Sequence, residues 1–462
     1  MSAVPSDPSL ATALVPLACG PLDRVFALDG AAPVSLQRFL RQARALAETL
    51  PAGSHCLNLC EDRYRFMLTL AAALMRGQPT LLPPSRAPSV ILEMLERYPD
   101  AHCVGDDGLN GCGLERQPPR YTTLPAALAE WTGPIEPLLL PAEALAVIGF
   151  TSGSSGPPKA QPKRWGSFSR STQLNAELLR EVAGSGAQIL ATVPAQHMYG
   201  METSVLLPLL GGFPIHPGRP FFPADIVRGL TELEAPRVLV TTPVHLRALI
   251  ESGLALPPIA AIVSATAPLP VDLARAAEAA SGGRVLEFYG STETCVIAHR
   301  QTAREQAWTT YAGVEIQPRP DGAQIDADWL AAPVLLQDLI ELLPQGRFRL
   351  AGRAADLLEI AGKRASLGEL TRRLLAIPGV QDGVVFLPET AGPVQRVAAL
   401  VVAPELDEIS VLAALREVVD PVYLPRPLKR VNALPRNATG KLPRAALLEA
   451  LRGAPPLPPP SP

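Results

Sequence analysis

The alternation of short apolar strands with helices constrains the fold of this chain more than any other feature of its sequence. Residues 56–60 form a strand-like run, residues 62–76 have helical spacing with Asp62 in the first turn and Gly77 as a stop, and residues 80–82 are extended again. A strand, a helix and a strand in this order favour parallel pairing through a right-handed crossover. The same pattern recurs with strands predicted at 188–193, 237–240, 259–264 and 284–288 and helices at 201–210 and 271–280. The sequence therefore predicts an α/β body.

The pattern changes after about residue 315. A turn at 344–346 separates the extended runs 335–342 and 347–350, and a second, smaller α/β unit follows with a helix at 367–375 and strands at 383–387 and 397–402. We predict an N-terminal domain at 1–352, a C-terminal domain at 353–452 and a disordered, Pro-rich tail at 453–462.

Charge and hydropathy exclude several classes of protein. The 462 residues include 41 Lys+Arg and 44 Asp+Glu, a net charge of −3, so no nucleic-acid partner is expected. We predict no transmembrane segment, because no apolar run approaches the ~18 residues that a membrane span needs. The mildly apolar residues 10–19 follow no basic run, which argues against a secretory signal. Scattered Cys and His residues show no metal-binding pattern, and the expectation is a cytoplasmic enzyme.

A loop rich in hydroxyls and glycine follows the apolar strand predicted at 145–150. Backbone amides freed by glycine can surround an anion together with serine and threonine hydroxyls. The predicted phosphate-binding residues are Thr151, Ser152, Gly153, Ser154, Ser155, Gly156 and Lys159. This is not the usual nucleotide P-loop, which would need glycine at Pro158 and Ser or Thr at Ala160. A flexible Ser/Gly linker is the alternative interpretation.

Four further segments follow this loop in a fixed order. Three of them come after predicted strands or at the start of the second domain, and the fourth nearly closes the chain. Their sequences are Val-Pro-Ala-Gln-His-Met-Tyr-Gly at 193–200, Glu-Phe-Tyr-Gly-Ser-Thr-Glu-Thr at 287–294, Gly-Arg-Ala-Ala-Asp at 352–356 and Pro-Arg-Asn-Ala-Thr-Gly-Lys-Leu-Pro-Arg at 435–444.

The loop and these four segments together resemble the adenylate-forming superfamily of acyl- and aryl-CoA synthetases, adenylation domains and luciferases, over about residues 56–447. The resemblance implies a large N-terminal domain of stacked, mostly parallel sheets with helices, and a small mobile C-terminal α+β domain. It also implies that a carboxylate attacks the α-phosphate of ATP to give an acyl-adenylate and pyrophosphate, before the acyl group passes to a thiol. That chemistry needs several cations and oriented donors around the phosphates.

The resemblance assigns the phosphate chemistry to a few residues. Glu293 matches the family's Mg²⁺ ligand, and Thr292 would touch the α-phosphate. Lys441 would catalyse adenylation by reaching between the carboxylate and the α-phosphate oxygens. A helix-capping acid is the alternative for Glu293, and a solvated surface lysine is the alternative for Lys441.

The nucleoside would contact further positions. Adenine is expected between the backbone of Thr266-Ala267-Pro268 and the ring of Tyr289. Asp338 matches the aspartate that accepts both ribose hydroxyls, although it could instead be an exposed hairpin acid, and Arg353 matches the ribose and phosphate arginine. Ala265 and Thr266 depart from a common Gly-Gly-Ala-Pro, which hints at a small or flat acid. At the usual hinge position stands Ala355, so Asp356 could take over that role.

The acid itself would lie near His197, which would orient the carboxylate unless it is a structural histidine. The predicted acid-binding residues are His197, Tyr199, Met201, Thr242, Ala265 and Gly290. Residues 161–167 and 194–202 resemble the ligases of aryl-polyene and xanthomonadin-type pigment pathways, which load hydroxybenzoate-like acids onto an acyl carrier protein.

This resemblance implies a small aromatic acid such as 3-hydroxybenzoate, and the phosphopantetheine of an acyl carrier protein as the acceptor. An acidic carrier would bind a basic surface at Arg426, Lys429, Arg430 and Arg436. The phosphates of coenzyme A would bind the same positive charges. An aryl- or medium/long-chain acyl-CoA ligase therefore remains the second hypothesis. A non-catalytic acyl-binding relative is the third, and it predicts the loss of Lys441, Glu293 or the phosphate loop, all of which are present.

Overall fold

The computed structural model describes residues 13–29, 32–83, 86–106, 118, 120–151, 159–353, 357–360, 363–388, 396–437 and 440–453. The chain divides into two compact units. Unit 1 consists of Met1–Val314 and Ala327–Ala332, and unit 2 consists of Glu315–Asp326 and Pro333–Pro462. The boundary predicted at residue 352 lies inside unit 2, and where a mobile domain begins stays a prediction. The tail predicted at 453–462 lies outside the described residues except for Gly453.

Unit 1 contains sixteen strands within its described residues. They are β1 (Leu14–Pro16), β2 (Val25–Asp29), β3 (Ala32–Ser35), β4 (Cys56–Asn58), β5 (Thr80–Leu82), β6 (His102–Gly105), β7 (Tyr121–Thr123), β8 (Leu139–Pro141), β9 (Leu145–Thr151), β10 (Lys159–Arg164), β11 (Gln188–Ala191), β12 (Arg237–Thr241), β13 (Ala261–Ser264), β14 (Arg284–Ser291), β15 (Cys295–Arg300) and β16 (Trp308–Thr310).

The helices of unit 1 alternate with these strands, as the sequence predicts. They are α1 (Leu36–Thr49), α2 (Arg63–Met75), α3 (Pro88–Arg97), α4 (Trp165–Ala183), α5 (Met198–Met201), a π-helix (Glu202–Gly211), α6 (Pro223–Glu232), α7 (Pro243–Glu251) and α8 (Val271–Ser281). Asp62 caps α2 by accepting a hydrogen bond from Arg65 N at 2.8 Å, and Gly77 has a φ of +66° beyond its end.

Two mostly parallel sheets organise unit 1. One has the strand order β10-β9-β5-β4-β6-β7, and every pair in it is parallel except β9 with β10. In the other, β11, β12, β13 and β14 are parallel neighbours, and β15 and β16 continue the order in antiparallel pairing. The predicted α/β fold with mostly parallel sheets is confirmed. The carboxyl ends of such strands are where ligands usually bind.

Two predicted elements differ in detail. The strand predicted at 56–60 ends at Asn58, because the Asn58 side chain accepts from Cys60 N at 3.2 Å and donates to Phe66 O at 3.0 Å. The α-helix predicted at 201–210 is a π-helix from Glu202 to Gly211. Pro208 lies inside it, and proline clashes with the preceding turn of an α-helix.

The described part of unit 2 is α+β. Its strands are β17 (Val314–Arg319), β18 (Gly322–Ala327), β19 (Val334–Leu336), β20 (Asp338–Leu343), β21 (Arg347–Arg353), β22 (Leu357–Ile360), β23 (Lys363–Ser366), β24 (Asp382–Phe386), β25 (Ala398–Val402) and β26 (Leu428–Arg430). Its helices are α9 (Leu367–Leu375), α10 (Glu408–Val418), a short 3₁₀ turn (Pro421–Tyr423) and α11 (Arg444–Gly453). Apolar residues of α9, α10, β24, β25 and β26 form its core.

Among the helices that the structure describes, none combines the length and the hydropathy that crossing a bilayer requires.

Candidate active site

The phosphate loop predicted at 151–159 connects the two strands of a hairpin. Strand β9 ends at Thr151 and β10 begins at Lys159, and these two residues are directly opposite one another in the antiparallel register. Lys159 is exposed. Ser152, Gly153, Ser154, Ser155 and Gly156 lie outside the described residues, so their role in phosphate binding stays a prediction.

Three of the predicted functional segments meet at Gly149, two residues before the loop. A Cβ atom added to Gly149 would lie 3.0 Å from Thr292 Cγ2 and 3.3 Å from Met198 Cε. Thr292 follows β14, and Met198 opens α5 directly after His197. The end of β9, the Thr292–Glu293 turn and the His197 segment therefore lie together in unit 1, although about 140 residues of sequence separate the first from the second.

The turn that carries Glu293 is held by hydrogen bonds to its backbone. It joins β14 to β15, and Lys163 of β10 donates its ammonium group to the Glu293 carbonyl. The Trp329 indole donates to the Thr294 carbonyl at 2.8 Å, and Val296 N donates to Glu202 Oε2 at 3.0 Å. Because three separate parts of unit 1 hold this short turn, the backbone around the half-buried Glu293 is well positioned to present a ligand.

Lys163 and Glu202 are charged side chains that the sequence interpretation missed. Lys163 is 6% exposed and Glu202 is 2% exposed. Burial raises the pKa of Glu202 to about 7, while the Val296 amide, Lys163 and Asn175 oppose that rise. One sequence signal marks Glu202: it is the single charged residue in the mostly apolar stretch 198–210.

His197 is half-buried and caps α5. Its Nδ1 accepts a hydrogen bond from Tyr199 N at 3.3 Å, in the segment that follows the carboxyl end of β11. The Tyr199 hydroxyl donates to the carbonyls of Thr241 at 3.1 Å and of Val263 at 2.9 Å, and burial raises the pKa of this phenol well above its usual value. The ring of Tyr199 can therefore contact a bound acid, whereas its hydroxyl is already hydrogen-bonded to the backbone.

The remaining predicted acid-binding residues follow neighbouring strands. Thr241 and Ser264 are register partners in β12 and β13, so Thr242 and Ala265, the next residues, lie side by side at the sheet edge. Both are buried, as is Met201, whereas Gly290 is exposed in β14. Thr242 also caps α7. A Cβ atom at Gly290 would lie 2.1 Å from the Cys295 carbonyl oxygen, so this position accepts no side chain.

The two predicted walls of the adenine site come from adjacent strands. Thr266 and Ala267 follow β13, and Tyr289 lies in β14, which pairs with β13 in parallel. Thr266 has a φ of +78°, a left-handed conformation that glycine adopts freely and a β-branched residue rarely does. Threonine at this position therefore strains the backbone beside the predicted base.

We predict that Thr266→Gly stabilises the protein. Relief of the left-handed strain contributes about 1–2 kcal/mol, and the greater freedom of glycine in the unfolded chain offsets part of it, leaving a gain of about 0.5–1 kcal/mol. Urea unfolding followed by circular dichroism measures the difference. Thr123→Gly, in exposed strand β7, is the matched control and should lower stability by about 0.5–1 kcal/mol. A loss of stability in Thr266→Gly would contradict the strain.

Unit 2 carries the predicted ribose ligands and the predicted catalytic lysine. Asp338 and Arg353 are register partners in the β20–β21 hairpin, so the two positions assigned to the ribose are adjacent. Lys441 is exposed on a loop that Asn437 closes: Asn437 Oδ1 accepts from Lys441 N at 2.9 Å, and Asn437 N donates to Lys441 O at 2.8 Å. The hinge positions Ala355 and Asp356 lie outside the described residues.

The predicted basic surface for a carrier protein is partly wrong. Arg426 is exposed and Lys429 is half-buried, but Arg430 is 8% exposed. It shares a strand face with buried Leu428, since alternate residues of β26 point the same way. Arg436 makes a two-pronged ion pair with Asp382, with Nη2–Oδ1 at 2.9 Å, and donates to the Gly440 carbonyl at 3.0 Å. Arg436 therefore anchors the Lys441 loop.

The described residues fit a magnesium ion that is mostly held by its substrate. They contain no group of three or more His, Cys, Asp or Glu side chains arranged to hold a metal. Mg²⁺ usually keeps several waters and takes one or two carboxylates together with nucleotide phosphates. A single carboxylate, Glu293, beside a predicted phosphate loop matches that preference.

Comparison with known proteins shows similarity to one family. A family model described as AMP-binding enzyme matches residues 112–316. The chain is 29% identical to the 4-coumarate–CoA ligase of Rhodobacter capsulatus over 303 residues, 65% of this chain and 75% of that protein. It is 28% identical to the L-proline–[L-prolyl-carrier protein] ligase of Pseudomonas fluorescens over 190 residues, 40% of this chain and 35% of that protein.

A solved structure shares the fold. The structure of ATP-bound MatB from Rhodopseudomonas palustris matches with a TM-score of 0.76, covering 91% of this chain and 94% of that one at 19% identity. The resemblance that the sequence motifs predict is thereby confirmed at the level of the superfamily. The chain is therefore similar to the AMP-binding enzymes of the adenylate-forming superfamily, in its sequence over residues 112–316 and in its fold.

Proposed function

We propose that this enzyme activates a small, hydroxybenzoate-like aromatic acid such as 3-hydroxybenzoate and transfers it to the phosphopantetheine thiol of an acyl carrier protein in pigment biosynthesis. The observation that carries the proposal is the meeting at Gly149 of the phosphate-loop strand, the Thr292–Glu293 turn and the His197 segment. One site can then hold the pyrophosphate end of ATP, the α-phosphate and the acid together. The cytoplasm supplies ATP and pantetheine carriers, and we place the reaction there.

The reaction proceeds in two steps. A carboxylate oxygen of the acid attacks the α-phosphorus of ATP, the bond from that phosphorus to the bridging oxygen breaks, and pyrophosphate leaves. The pantetheine thiolate then attacks the acyl carbonyl, and AMP leaves as the thioester forms. The first step concentrates negative charge between the two reactants, and the second step requires room for a thiol.

The chain's own residues divide these tasks. Thr151, the loop residues 152–156 and Lys159 bind the leaving pyrophosphate, and Thr292 donates to the α-phosphate. Glu293 would hold Mg²⁺, which supplies charge neutralisation to the phosphates when bound. Asp338 and Arg353 bind the ribose, His197 orients the acid's carboxylate, and Lys441 stabilises the charge that develops during adenylation. The fixed backbone of the Glu293 turn supports this arrangement.

The character of the proposed acid pocket favours a flat, compact acid. Tyr199 offers its ring, Ala265 adds a methyl group beside the nucleotide, and Thr242 and Met201 are buried around them. Aromatic acids suit such surfaces because they bury a large flat area with few rotatable bonds. The 4-coumarate named for the relative in Rhodobacter capsulatus is also an aromatic carboxylate.

The acceptor separates two versions of the proposal. One relative is named for coenzyme A and another for a carrier protein, so both thiols occur among similar proteins. Coenzyme A and a carrier present the same pantetheine thiol, and they differ in the surface around it. The corrected basic surface, with Arg430 buried and Arg436 paired to Asp382, leaves Arg426 and Lys429 to meet an acidic carrier.

Acid-dependent exchange of labelled pyrophosphate into ATP tests the proposed function. Hydroxybenzoates should support exchange at least tenfold faster than long-chain fatty acids, because a compact pocket closed by buried residues rejects a long chain by more than about 1.4 kcal/mol. In the same reactions a holo carrier protein should gain the mass of the acyl group.

The controls decide between the alternatives. Exchange without added acid gives the background, and apo carrier protein lacks the thiol. Fast exchange with a long-chain acid and none with any aromatic acid would overturn the aromatic proposal. Thioester formation with free coenzyme A but not with holo carrier would assign the acceptor to coenzyme A. Absence of exchange with every acid tested would favour a non-catalytic relative.

A further inference from the structure

A buried carboxylate lies behind the two predicted walls of the adenine site and is not used by the chemistry described above. Glu287 is 3% exposed. It lies in β14, two residues before Tyr289, and its parallel register partner is Ser264 of β13, two residues before Thr266. Thr266 and Tyr289 therefore each lie two residues beyond the Ser264–Glu287 pair, on the same side of it.

Both oxygens of Glu287 are engaged. Its Oε1 accepts from Leu269 N at 3.0 Å, and Leu269 directly follows the segment Thr266-Ala267-Pro268. Its Oε2 accepts from Arg300 Nε at 2.8 Å and from the Thr302 hydroxyl at 2.7 Å. One carboxylate thus ties the first wall of the predicted site to β15.

Arg300 continues this connection to the second wall. It is the antiparallel register partner of Glu287, and a second guanidinium nitrogen lies 2.6 Å from Glu287 Oε2. Its guanidinium carbon lies 4.4 Å from the centre of the Trp308 ring. The Trp308 ring in turn lies 5.4 Å from that of Tyr289, at an interplanar angle of 50°. A continuous series of contacts therefore runs from the Leu269 amide to the Tyr289 ring.

We propose that Glu287 and Arg300 are positioning residues that fix the spacing between the Thr266–Pro268 backbone and the Tyr289 ring, and so set the affinity of the enzyme for the adenine base of ATP. The inference rests on the proposed function, which places adenine between these two walls. A planar base stacks well only where its two flat neighbours are held about one ring thickness from each face. A buried ion pair by itself stabilises a fold weakly compared with apolar residues of similar volume, and fixing a geometry is the better explanation of its bonds to both walls.

Glu287→Gln tests the proposal, because glutamine keeps an acceptor for the Leu269 amide while removing the charge that orients Arg300. We expect a KM for ATP, and a calorimetric Kd for ATP, raised about tenfold, since a charge-assisted hydrogen bond contributes about 1.5 kcal/mol or more. The KM for pyrophosphate in the exchange reaction should stay within about twofold, because pyrophosphate has no base to stack. Thr302→Val, which removes one bond to Oε2, should raise the KM for ATP by a smaller factor and serves if Glu287→Gln does not fold.

The chain offers a matched control at Glu278. That carboxylate also bonds a backbone amide, Val285 N at 3.0 Å, and also approaches an arginine, Arg304 at 3.5 Å, but it lies on α8 away from both walls. Glu278→Gln should leave the KM for ATP and for pyrophosphate unchanged. Folded Glu287→Gln with an unchanged KM for ATP, or with the KM for ATP and pyrophosphate raised equally, would overturn the inference. Absence of pyrophosphate exchange in the parent enzyme would instead overturn the proposed function.

Discussion

Lys441→Ala is expected to slow acid-dependent pyrophosphate exchange by about 10²- to 10³-fold, the usual cost of removing one positioned donor from a developing anion. The lysine side chain is exposed on a loop whose backbone Asn437 closes at both the amide and the carbonyl of Lys441. Such a loop presents an ammonium group with little loss of backbone entropy. Exchange with saturating hydroxybenzoate and ATP measures the effect on kcat.

The second half of the reaction separates catalysis from a loss of structure. Lys441→Ala supplied with synthetic acyl-adenylate should still form thioester at a rate close to the parent, because the charge that Lys441 balances arises only during adenylation. Arg452→Ala removes an exposed cation from α11 of the same unit and should leave exchange unchanged. Equal exchange rates for Lys441→Ala and the parent would reject the assignment.

Glu202→Gln is expected to be more stable than the parent above neutral pH, by about 3 kcal/mol at pH 8. The pKa of Glu202 rises from its ordinary value of 4.5 to about 7 on burial, so the folded state binds a proton that the unfolded state has released. The stability of the parent therefore falls as pH rises from about 4.5 through 7, whereas glutamine stays neutral and keeps an oxygen for the Val296 amide. Urea unfolding of both proteins between pH 4 and 9 gives the difference at each pH.

The pH dependence of the stability difference between Glu202→Gln and the parent is the decisive observation. The difference should be near zero at pH 4, grow through the range 4.5 to 7 and level off above it. Glu177→Gln, which replaces an exposed glutamate of α4, controls for the loss of a carboxylate without burial. A stability difference between Glu202→Gln and the parent that does not change with pH would show that folding leaves the pKa of Glu202 unchanged.

The sequence predicts those parts of the fold that local patterns determine. The capping Asp62, the stop at Gly77 and the hairpin turn at 344–346 depend on neighbouring residues, and the structure has all three. The π-helix was missed because the spacing of apolar residues hardly distinguishes it from an α-helix. Pro208 was the local sign that a regular α-helix would be disturbed, but the surrounding residues favour a helix.

The candidate site shows a sharper limit. Motif residues such as Glu293 and Lys441 are recognisable from their immediate neighbours, whereas Lys163 and Glu287 act through partners distant in sequence or on another strand. Lys163 lies in a polar run that looks solvent-exposed, and only the folded hairpin buries it against the Glu293 turn, 130 residues away. Long-range contacts of this kind have no local periodicity from which they could be predicted.

The hydrogen bonds of the Tyr199 hydroxyl restrict how the acid preference of this enzyme can evolve or be redesigned. Tyr199→Phe would add little room to the pocket. It would also remove the hydroxyl that donates to the carbonyls of Thr241 and Val263, at a cost of about 1–3 kcal/mol in folding free energy. Gly290 accepts no side chain, because a Cβ atom would meet the Cys295 carbonyl. Ala265 carries neither restriction, so changes in the size of the accepted acid should be tolerated at that position.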